Sequence, residues 1–297
     1  MKITHESSVT ADQIDHLGHM NVRYYGVNAR AGTTTLMAGL GRDRDDTALT
    51  DIYTRHFAEQ LEGAALEVRT AILEASADRI TIYHELYNVE SDSIAATFVH
   101  GVVPVDTPFG PDLVEGLRAD SVPIPAHGAP RSISLATDLL GHAPALEEAV
   151  DRGLATRLPR QIAPDECDAS GAHLDSQLSS MSWIGTRIDG RDPEPTLIDG
   201  PNGEKMGFAA MENRIQVRRR VRLGATVQTF EAVVAMHDKA THRIQWVFDL
   251  DQGDLLHAQE SVSVAFDTIS RRAMSIPAAM RALDEARLAP EYLPAGE

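Results

Sequence analysis

The chain has 297 residues, of which 43% are hydrophobic, and its formal net charge is −17. This length and composition fit two domains, or one large domain, each able to bury a core, and they exclude intrinsic disorder. An acidic chain repels phosphate backbones and anionic bilayers, so we expect neither nucleic-acid binding nor membrane-surface binding. No stretch approaches the ~18 consecutive apolar residues that a membrane span needs.

Cysteine usage and the N-terminal segment predict the compartment. The single cysteine, Cys167, allows no internal disulfide and supplies no paired-cysteine zinc framework. The N-terminal segment lacks the apolar core of a secretory signal. We therefore expect a cytoplasmic protein with no metal centre and no bound redox cofactor.

The chain is similar to itself, which favours an internal repeat. Asp15 and Gly18 recur with the same spacing as Asp168 and Gly171. The turn-forming residues of the stretch 189–205 predict an enlarged loop in the second copy. A duplicated unit predicts two similarly folded halves.

The same order of elements is predicted in both copies. The first copy has a helix over residues 21–40 and strands over 53–61, 65–73, 79–89 and 94–105. The second copy has a helix over residues 175–188 and strands over 213–222, 226–236, 243–250 and 255–266. The strands are rich in Val, Ile, Thr and Phe and are joined by short polar turns, which indicates antiparallel pairing. Helical spacing also predicts a connecting helix over 137–157 and a C-terminal helix over 276–289.

The first copy contains the pattern D-x-x-G-H-x-N-x-x-Y, from Asp15 to Tyr24. Together with the helix and strands behind it, the pattern resembles the hotdog-fold acyl-CoA thioesterases of the 4-hydroxybenzoyl-CoA thioesterase type. The segment from His56 to Gly63 is similar to thioesterases found beside, or fused to, carnitine dehydrogenases.

This resemblance implies an α+β fold of two tandem hotdogs, a double hotdog, in which each curled antiparallel sheet wraps around a central helix. The expected domains are an N-terminal hotdog over residues 1–125, a linker with a helix over 126–160 and a C-terminal hotdog over 161–297. The outer sheet faces leave room for association of such units into a homo-oligomer.

The resemblance also implies hydrolysis of an acyl-CoA, with coenzyme A as part of the substrate. Thioester hydrolysis needs a general base or nucleophile, for which Asp15 is the candidate. The backbone N–H groups of Gly18 and His19 precede a helix and are candidate donors to the oxyanion. His19 is also a candidate to assist proton transfer or orient Asp15, and Asn21 to cap the helix or hold a water.

Further residues are candidates for substrate binding. Tyr24 and Tyr25, on the first helix, pack or line the acyl pocket. Arg218 and Arg220 are candidates to bind the phosphates of coenzyme A, because strand alternation would place them with Arg222 on one face. No role is assigned from the sequence to three other polar residues of the first copy: His56, Glu59 and His84.

The second copy departs from the pattern of the first. Ala172 occupies the place of His19, and His173 is displaced by one position, whereas Asp168 and Gly171 are kept. Two interpretations follow: Asp168 and His173 perform the same chemistry with Gly171 close to the substrate, or this half has only a structural role. We favour one competent motif, at Asp15.

Two other functions stay open from the sequence. The spacing of Asp168 and His173 is similar to that of hotdog enoyl-CoA hydratases, in which an Asp and a His share a water. A non-catalytic acyl-CoA binding protein, with both motifs inactive, is the second alternative.

Overall fold

The computed structural model of the chain describes residues 1–189, 198–199 and 205–293. The chain divides into two compact units. Unit 1 is Met1–Pro130 with Asp175–Gln177, and unit 2 is Arg131–Leu174 with Leu178–Glu297. Most of the enlarged loop predicted at 189–205 lies outside the described residues. Among the residues described, none of the helices has both the length and the apolar composition needed to cross a membrane.

Unit 1 is an antiparallel sheet against which one long helix packs. Its strands are β1 (Lys2–Ser8), β2 (Thr47–His56), β3 (Ala65–Ala75), β4 (Ile80–Asn88) and β5 (Ser93–Pro104). Within the unit the strands are arranged in the order β1-β3-β4-β5-β2, with antiparallel pairing throughout. Its helices are α1 (Val22–Gly39) and α2 (Pro111–Ala119). Helix α1 contacts β1, β3, β4 and β5.

Small side chains let α1 lie close to the sheet. Ala29 is fully buried, and a Cβ atom on Gly32 would lie 2.6 Å from Cγ1 of Val68 on β3. Only glycine fits there without displacing the strand. The small residues of the helix therefore set how closely it packs on the sheet.

A chain of buried polar groups crosses the interface between α1 and its sheet. The Thr33 hydroxyl lies 2.9 Å from Nε2 of His84 and 2.7 Å from Nδ1 of His100, and the Thr70 hydroxyl lies 2.7 Å from Nδ1 of His84. Burial lowers the pKa of His84 to about 3 and holds the pKa of His100 well below its ordinary value. Both imidazoles are thus neutral, hydrogen-bonded core groups.

Unit 2 also has an antiparallel sheet. Its strands are β6 (Arg160–Gln161), β7 (Ile198–Asp199), β8 (Lys205–Val217), β9 (Thr226–Met236), β10 (Ala240–Asp249), β11 (Asp254–Asp267) and β12 (Arg272–Ala273). The main order is β8-β11-β10-β9-β6, with β12 paired to β11 and β7 paired to β8. Its helices are α3 (Leu146–Asp151), α4 (Leu178–Met181) and α5 (Ala278–Glu285).

The prediction of a central helix over 175–188 is wrong. The structure has a single 3-10 turn, Asp175–Gln177, followed by the four residues of α4. Serine side chains compete with the helical backbone for hydrogen bonds, and Gly185 adopts φ +107, which no helix continues through. The second copy therefore lacks a counterpart of the long helix α1 within the described residues.

The connecting helix predicted over 137–157 is also too long, since only Leu146–Asp151 is helical. Pro144 cannot continue a helix, and Gly153 ends α3 at φ +64. The apolar periodicity has another cause: Leu139 and Leu154 pack with Trp246 in the core of unit 2. The C-terminal helix predicted over 276–289 is likewise confined to Ala278–Glu285.

Most strand predictions are confirmed, and the one over 226–236 matches β9 to the residue. The strand predicted over 53–61 is found earlier, at Thr47–His56, and the strand predicted over 213–222 ends at Val217. Arg218, Arg220 and Arg222 therefore follow the strand, and the prediction that alternation places them on one face is wrong.

Candidate active site

Residues 15–20, which we call the first loop, form a tight turn directly before α1. The N–H of Asp15 donates to the carbonyl of His19 at 2.9 Å, and the N–H of Gly18 donates to the carbonyl of Asp15 at 3.0 Å. Gly18 has φ +84, a left-handed conformation that favours glycine. Asn21 caps α1, because its Oδ1 accepts from the N–H of Arg23 at 3.1 Å.

These bonds correct the predicted oxyanion site. The N–H of Gly18 is engaged with the Asp15 carbonyl, so it does not point at a substrate. In the part of the chain that the structure describes, the N–H of His19 donates to no acceptor. The His19 N–H is therefore the candidate donor to an oxyanion at this loop.

Three titratable side chains lie in a row at the first loop. Oδ1 of Asp15 accepts from the N–H of Leu17 at 2.9 Å, and Oδ2 lies 3.7 Å from Nδ1 of His19. On the other side of the imidazole, Nε2 of His19 lies 3.2 Å from Oε1 of Glu59. The side chains of Asp15 and His19 are 16% and 12% exposed, whereas that of Glu59 is 43% exposed. The row thus runs from a mostly enclosed carboxylate to one that reaches the solvent.

Glu59 is the residue at this site that the sequence does not identify. It follows β2 and lies 40 positions from His19 along the chain (59 − 19 = 40). No spacing rule connects a loop before a helix with a loop after a strand. The only sequence signal is its position inside the segment, His56 to Gly63, that resembles the thioesterases.

Tyr25 and His56 form an uncharged aromatic pair close to the row. The Tyr25 hydroxyl donates to the carbonyl of Ala58 at 3.0 Å, and its ring meets that of His56 edge to face with centroids 5.1 Å apart. Burial raises the pKa of Tyr25, and the negative charge of Asp15 adds to that rise. Burial lowers the pKa of His56 to about 4. Tyr25 is thus a core residue, whereas the role predicted for Tyr24, under the guanidinium of Arg23, stays a prediction.

Residues 168–173, which we call the second loop, repeat the backbone bonds of the first. The N–H of Asp168 donates to the carbonyl of Ala172 at 2.9 Å, and the N–H of Gly171 donates to the carbonyl of Asp168 at 2.9 Å. Gly171 has φ +76. The two loops are therefore built from the same turn, each around a glycine in the left-handed region.

In the second loop, both oxygens of the Asp168 carboxylate have bonding partners. Oδ1 of Asp168 accepts from the N–H and the hydroxyl of Ser170 and from the N–H of Ala172, at 3.0, 2.6 and 3.1 Å. Oδ2 is paired with Nη2 of Arg220 at 3.0 Å. The bonds from Ser170, followed by the other donors and Arg220, lower the pKa of Asp168 to about 2. The N–H of Ala172, which is equivalent to that of His19, thus already donates to the Asp168 carboxylate.

His173 is enclosed beside this loop. Its side chain is 1% exposed, and Nε2 lies 3.9 Å from Oε1 of Glu166, whose carboxylate Arg160 holds at 2.7 and 2.8 Å. Nη2 of Arg220 also donates to the carbonyl of His173 at 2.9 Å. The roles predicted for Asp168, Gly171 and His173 in catalysis or binding gain no support from these contacts.

The arginines after β8 bind groups of unit 2. Arg219 pairs with Asp249 at 2.7 Å, and Arg220 pairs with Asp168 as described. The side chain of Arg218 is exposed, so the phosphate-binding role predicted for the cluster stays a prediction for Arg218. In the described ranges no group of three or more His, Cys, Asp or Glu side chains is placed to hold a metal ion.

Unit 1 also has a cavity of about 240 Å³ beside the C-terminal half of α1. It is lined by Arg30, Thr34, Met37, Ala38, Arg42, Asp43 and Thr47. The lining includes no residue of the first loop. The cavity is therefore not part of the row of titratable side chains.

The N-terminal part of the chain is similar to known proteins. Residues 9–131 match the thioesterase-like superfamily. This confirms, over those residues, the resemblance that the sequence pattern indicates. The matched part contains the first loop, Glu59 and every strand of unit 1 except β1.

Two relatives and one solved structure extend the comparison. The L-carnitine dehydrogenase/betainyl-CoA thioesterase of Agrobacterium fabrum is 33% identical over 110 residues, which are 35% of this chain and 22% of that protein. The betainyl-CoA thioesterase of Pseudomonas aeruginosa is 32% identical over 91 residues, which are 28% of this chain and 57% of that protein. The chain thus spans less than two thirds of either relative.

A crystal structure provisionally named oleoyl thioesterase, from Lactobacillus plantarum, superposes with a TM-score of 0.64 at 10% identity. The match covers 89% of this chain and 96% of that one. At this identity the likeness shows the fold alone. It shows that the chain shares the antiparallel α+β fold of that structure.

Proposed function

We propose that the chain hydrolyses a thioester of coenzyme A to a free acid and coenzyme A, at the first loop. The observation that carries the proposal is the row Asp15–His19–Glu59 beside the open N–H of His19. It combines a carboxylate, a proton carrier and an oxyanion donor within a segment that matches the thioesterase-like superfamily. Both relatives carry betainyl-CoA thioesterase in their names, so betainyl-CoA is the first substrate to test.

Asp15 can act as a general base in this reaction. Its carboxylate takes a proton from water, and the water oxygen adds to the thioester carbonyl carbon. The resulting oxyanion accepts from the N–H of His19. The C–S bond then breaks, the thiolate of coenzyme A leaves, and the proton on Asp15 passes through His19 to the thiolate. One backbone donor of this kind contributes about 3–4 kcal/mol to the stability of the transition state.

Asp15 can alternatively act as the nucleophile. Oδ2 then adds to the carbonyl carbon, the thiolate leaves, and a mixed anhydride of Asp15 and the acyl group is hydrolysed by water. Hydrolysis over many turnovers in ¹⁸O-labelled water distinguishes the routes. Label in the Asp15 carboxylate identifies the nucleophile, because only an anhydride that water opens at the Asp15 carbonyl places solvent oxygen there.

The proposed architecture is a double hotdog with one competent loop, in which the second hotdog has no long central helix within the described residues. The matching backbone bonds of the two loops and the antiparallel sheet in each unit support two tandem hotdogs. Engagement of the Asp168 carboxylate by Ser170, Ala172 and Arg220 supports a structural role for the second loop. The same bonds weigh against an enoyl-CoA hydratase, which would need the Asp168 carboxylate to hold a water.

The test is release of free thiol from a panel of acyl-CoAs by the wild type and two matched variants, Asp15→Asn and Asp168→Asn. We expect hydrolysis of at least one thioester. Asp15→Asn should lower kcat about 10³-fold or more while Asp168→Asn leaves kcat within about threefold. Equal activity of Asp15→Asn and wild type, or no hydrolysis of any thioester, would contradict the proposal.

A further inference from the structure

We propose that the hydroxyl of Tyr25 anchors the backbone on both sides of Glu59 and thereby holds the Glu59 carboxylate against the imidazole of His19. The inference rests on the proposed function, because it assigns a role in the same reaction. Tyr25 is only 3% exposed, so it acts through Glu59 and not by contact with the substrate. It is therefore a positioning residue.

The Tyr25 hydroxyl bonds to the residues directly before and after Glu59. It donates to the carbonyl of Ala58 at 3.0 Å. Burial raises the pKa of Tyr25, and a hydrogen bond from the backbone of Gln60 offsets part of that rise. A hydroxyl donates one hydrogen bond and accepts others through its lone pairs, so one oxygen serves both neighbours. Because the raised pKa keeps the hydroxyl protonated, the donor to Ala58 is present throughout the neutral range.

Gln60 adds further bonds to the same segment of backbone. It is 2% exposed, and its Nε2 donates to the carbonyl of Ala58 at 3.2 Å, while its Oε1 accepts from Nδ2 of Asn88 at 2.7 Å. Its own carbonyl accepts from the N–H of Met20 at 2.7 Å. Met20 directly follows His19, so this segment is bonded to the first loop next to the imidazole.

These anchors set the distance between Glu59 and His19. Oε1 of Glu59 lies 3.2 Å from Nε2 of His19, so the carboxylate orients the imidazole that passes the proton. The side chain of Glu59 is 43% exposed, against 12% for His19, so enclosure restrains it less than it restrains the imidazole. Its position therefore depends more on its backbone. A displacement of about 1 Å in such an arrangement can lower a rate about 100-fold.

Unit 2 forms the same turn without these polar groups. Leu178 stands where Tyr25 does in the register of the two loop aspartates (178 − 25 = 153 and 168 − 15 = 153). The carbonyl of Val221 makes the bond to the second loop that the carbonyl of Gln60 makes to the first. Neither Leu178 nor Val221 has a polar side chain. The hydroxyl and the amide of unit 1 are thus not needed to form the turn, and they occur beside the loop that has the row.

The experiment compares kcat of the wild type with that of Tyr25→Phe, which removes one oxygen atom and keeps the ring that packs on His56. The substrate is betainyl-CoA or, if the wild type does not hydrolyse it, the member of the acyl-CoA panel that is hydrolysed fastest. We expect kcat to fall about tenfold and KM to stay within about twofold, because the hydroxyl acts on the row and not on substrate binding.

A double-mutant cycle shows whether the hydroxyl acts through Glu59. Glu59→Ala should itself lower kcat about tenfold or more, because the imidazole loses its orienting carboxylate. Tyr25→Phe added to Glu59→Ala should lower kcat by less than about twofold further, because no carboxylate is left to position. A general loosening of the fold would instead give the same loss in both backgrounds.

Tyr83→Phe is the matched control. Tyr83 is fully buried in unit 1, and its hydroxyl bonds to Glu85 and His127 at 3.1 and 3.3 Å. This variant also loses a buried hydroxyl, and it should keep kcat within about twofold of the wild type. Both single variants are assayed at a temperature at which thermal unfolding shows that they are folded.

An unchanged kcat in Tyr25→Phe would overturn the inference, and so would an unchanged kcat in Glu59→Ala. An equal loss from Tyr25→Phe in both backgrounds, or an equal loss in Tyr83→Phe, would overturn it as well. Each of these results leaves the thioesterase proposal standing, since the wild type still releases thiol. The thioesterase proposal fails on a separate result, when the wild type hydrolyses no thioester or Asp15→Asn keeps full activity.

Discussion

The first and second loops share a backbone and differ in what their aspartate can do. In both, the glycine N–H donates to the aspartate carbonyl, at 3.0 Å in the first loop and 2.9 Å in the second. In the first loop Oδ2 of Asp15 faces the imidazole of His19, whereas in the second loop Oδ2 of Asp168 is paired with Arg220. The turn alone therefore does not make a reactive carboxylate.

The residue that distinguishes the two loop aspartates lies outside the Asp-x-x-Gly motif, on a neighbouring segment of the chain. Glu59 in unit 1 and Arg220 in unit 2 each directly precede the carbonyl that accepts from the last residue of the loop. A carboxylate at this position cannot form an ion pair with the loop aspartate. A guanidinium at the same place binds the aspartate and the carbonyl of His173. Converting one loop toward the other is the sharpest way to test this contrast.

The largest expected effect on activity comes from Glu59→Arg, which places a guanidinium at the position equivalent to Arg220. The new guanidinium should pair with Asp15 and withdraw its carboxylate from the reaction, so we expect kcat/KM to fall about 10³-fold. Thiol release from the panel of acyl-CoAs measures the effect. Unchanged release would show that the new guanidinium does not pair with Asp15.

A smaller effect is expected from His19→Ala, which gives the first loop the residue that the second has at Ala172. Loss of the proton carrier should lower kcat about 100-fold, while the backbone N–H at this position is kept. The reciprocal variant, Ala172→His, should gain no activity, because Arg220 still holds Asp168. Activity in Ala172→His would contradict the assignment of a structural role to the second loop.

The next prediction concerns the ion pair between Arg220 and Asp168, which we expect to affect the stability of the fold and not the activity. Arg220→Ala takes a charged donor from Asp168 and from the carbonyl of His173, so we expect the free energy of unfolding to fall by about 2 kcal/mol. Arg218→Ala, at an exposed neighbouring position, should change it by less than about 0.5 kcal/mol. Urea titration of both variants measures the difference, and equal effects would show that Arg220 is not a structural residue.

The two glycines form a matched pair, since Gly18 and Gly171 have φ +84 and +76. Alanine at either position should destabilise the fold by about 1 kcal/mol, because a side chain is strained in the left-handed region. Only Gly18→Ala should also lower kcat, since only the first loop presents a donor to the substrate. Thermal unfolding and thiol release on the same samples check both halves of this prediction.

The smallest effect is a dependence of stability on acidity at Asp168. Its pKa in the folded protein is about 2, below the ordinary value of 3.8, so its ionised form stabilises the fold above about pH 4. That contribution is lost as the pH falls through about 2. The difference in free energy of unfolding between wild type and Asp168→Asn should therefore be constant from pH 7 to 5 and shrink toward pH 2. A difference that grows on acidification would contradict a lowered pKa of Asp168 in the folded protein.

The local pattern predicted a large part of this protein. Segments rich in Val, Ile, Thr and Phe between short polar turns predicted most of the longer strands. The recurrence of Asp-x-x-Gly predicted that the two halves contain similar loops. Strand β1 and helix α2 escaped prediction, because β1 is mostly polar and α2 is short and begins at Pro111.

The sequence by itself determined the turn, the candidate base Asp15 and the substitution of His19 by Ala172, since all of these are set by residues a few positions apart. Only the tertiary structure decided that the Gly18 N–H is engaged, that Glu59 lies 3.2 Å from His19 and that Arg220 holds Asp168 at 3.0 Å. The physical reason is that hydrogen bonds and ion pairs form between atoms that are close in space. Residues 59 and 220 reach their loops only because the strands before them end there, and no periodicity in the chain records where a strand's end comes to lie.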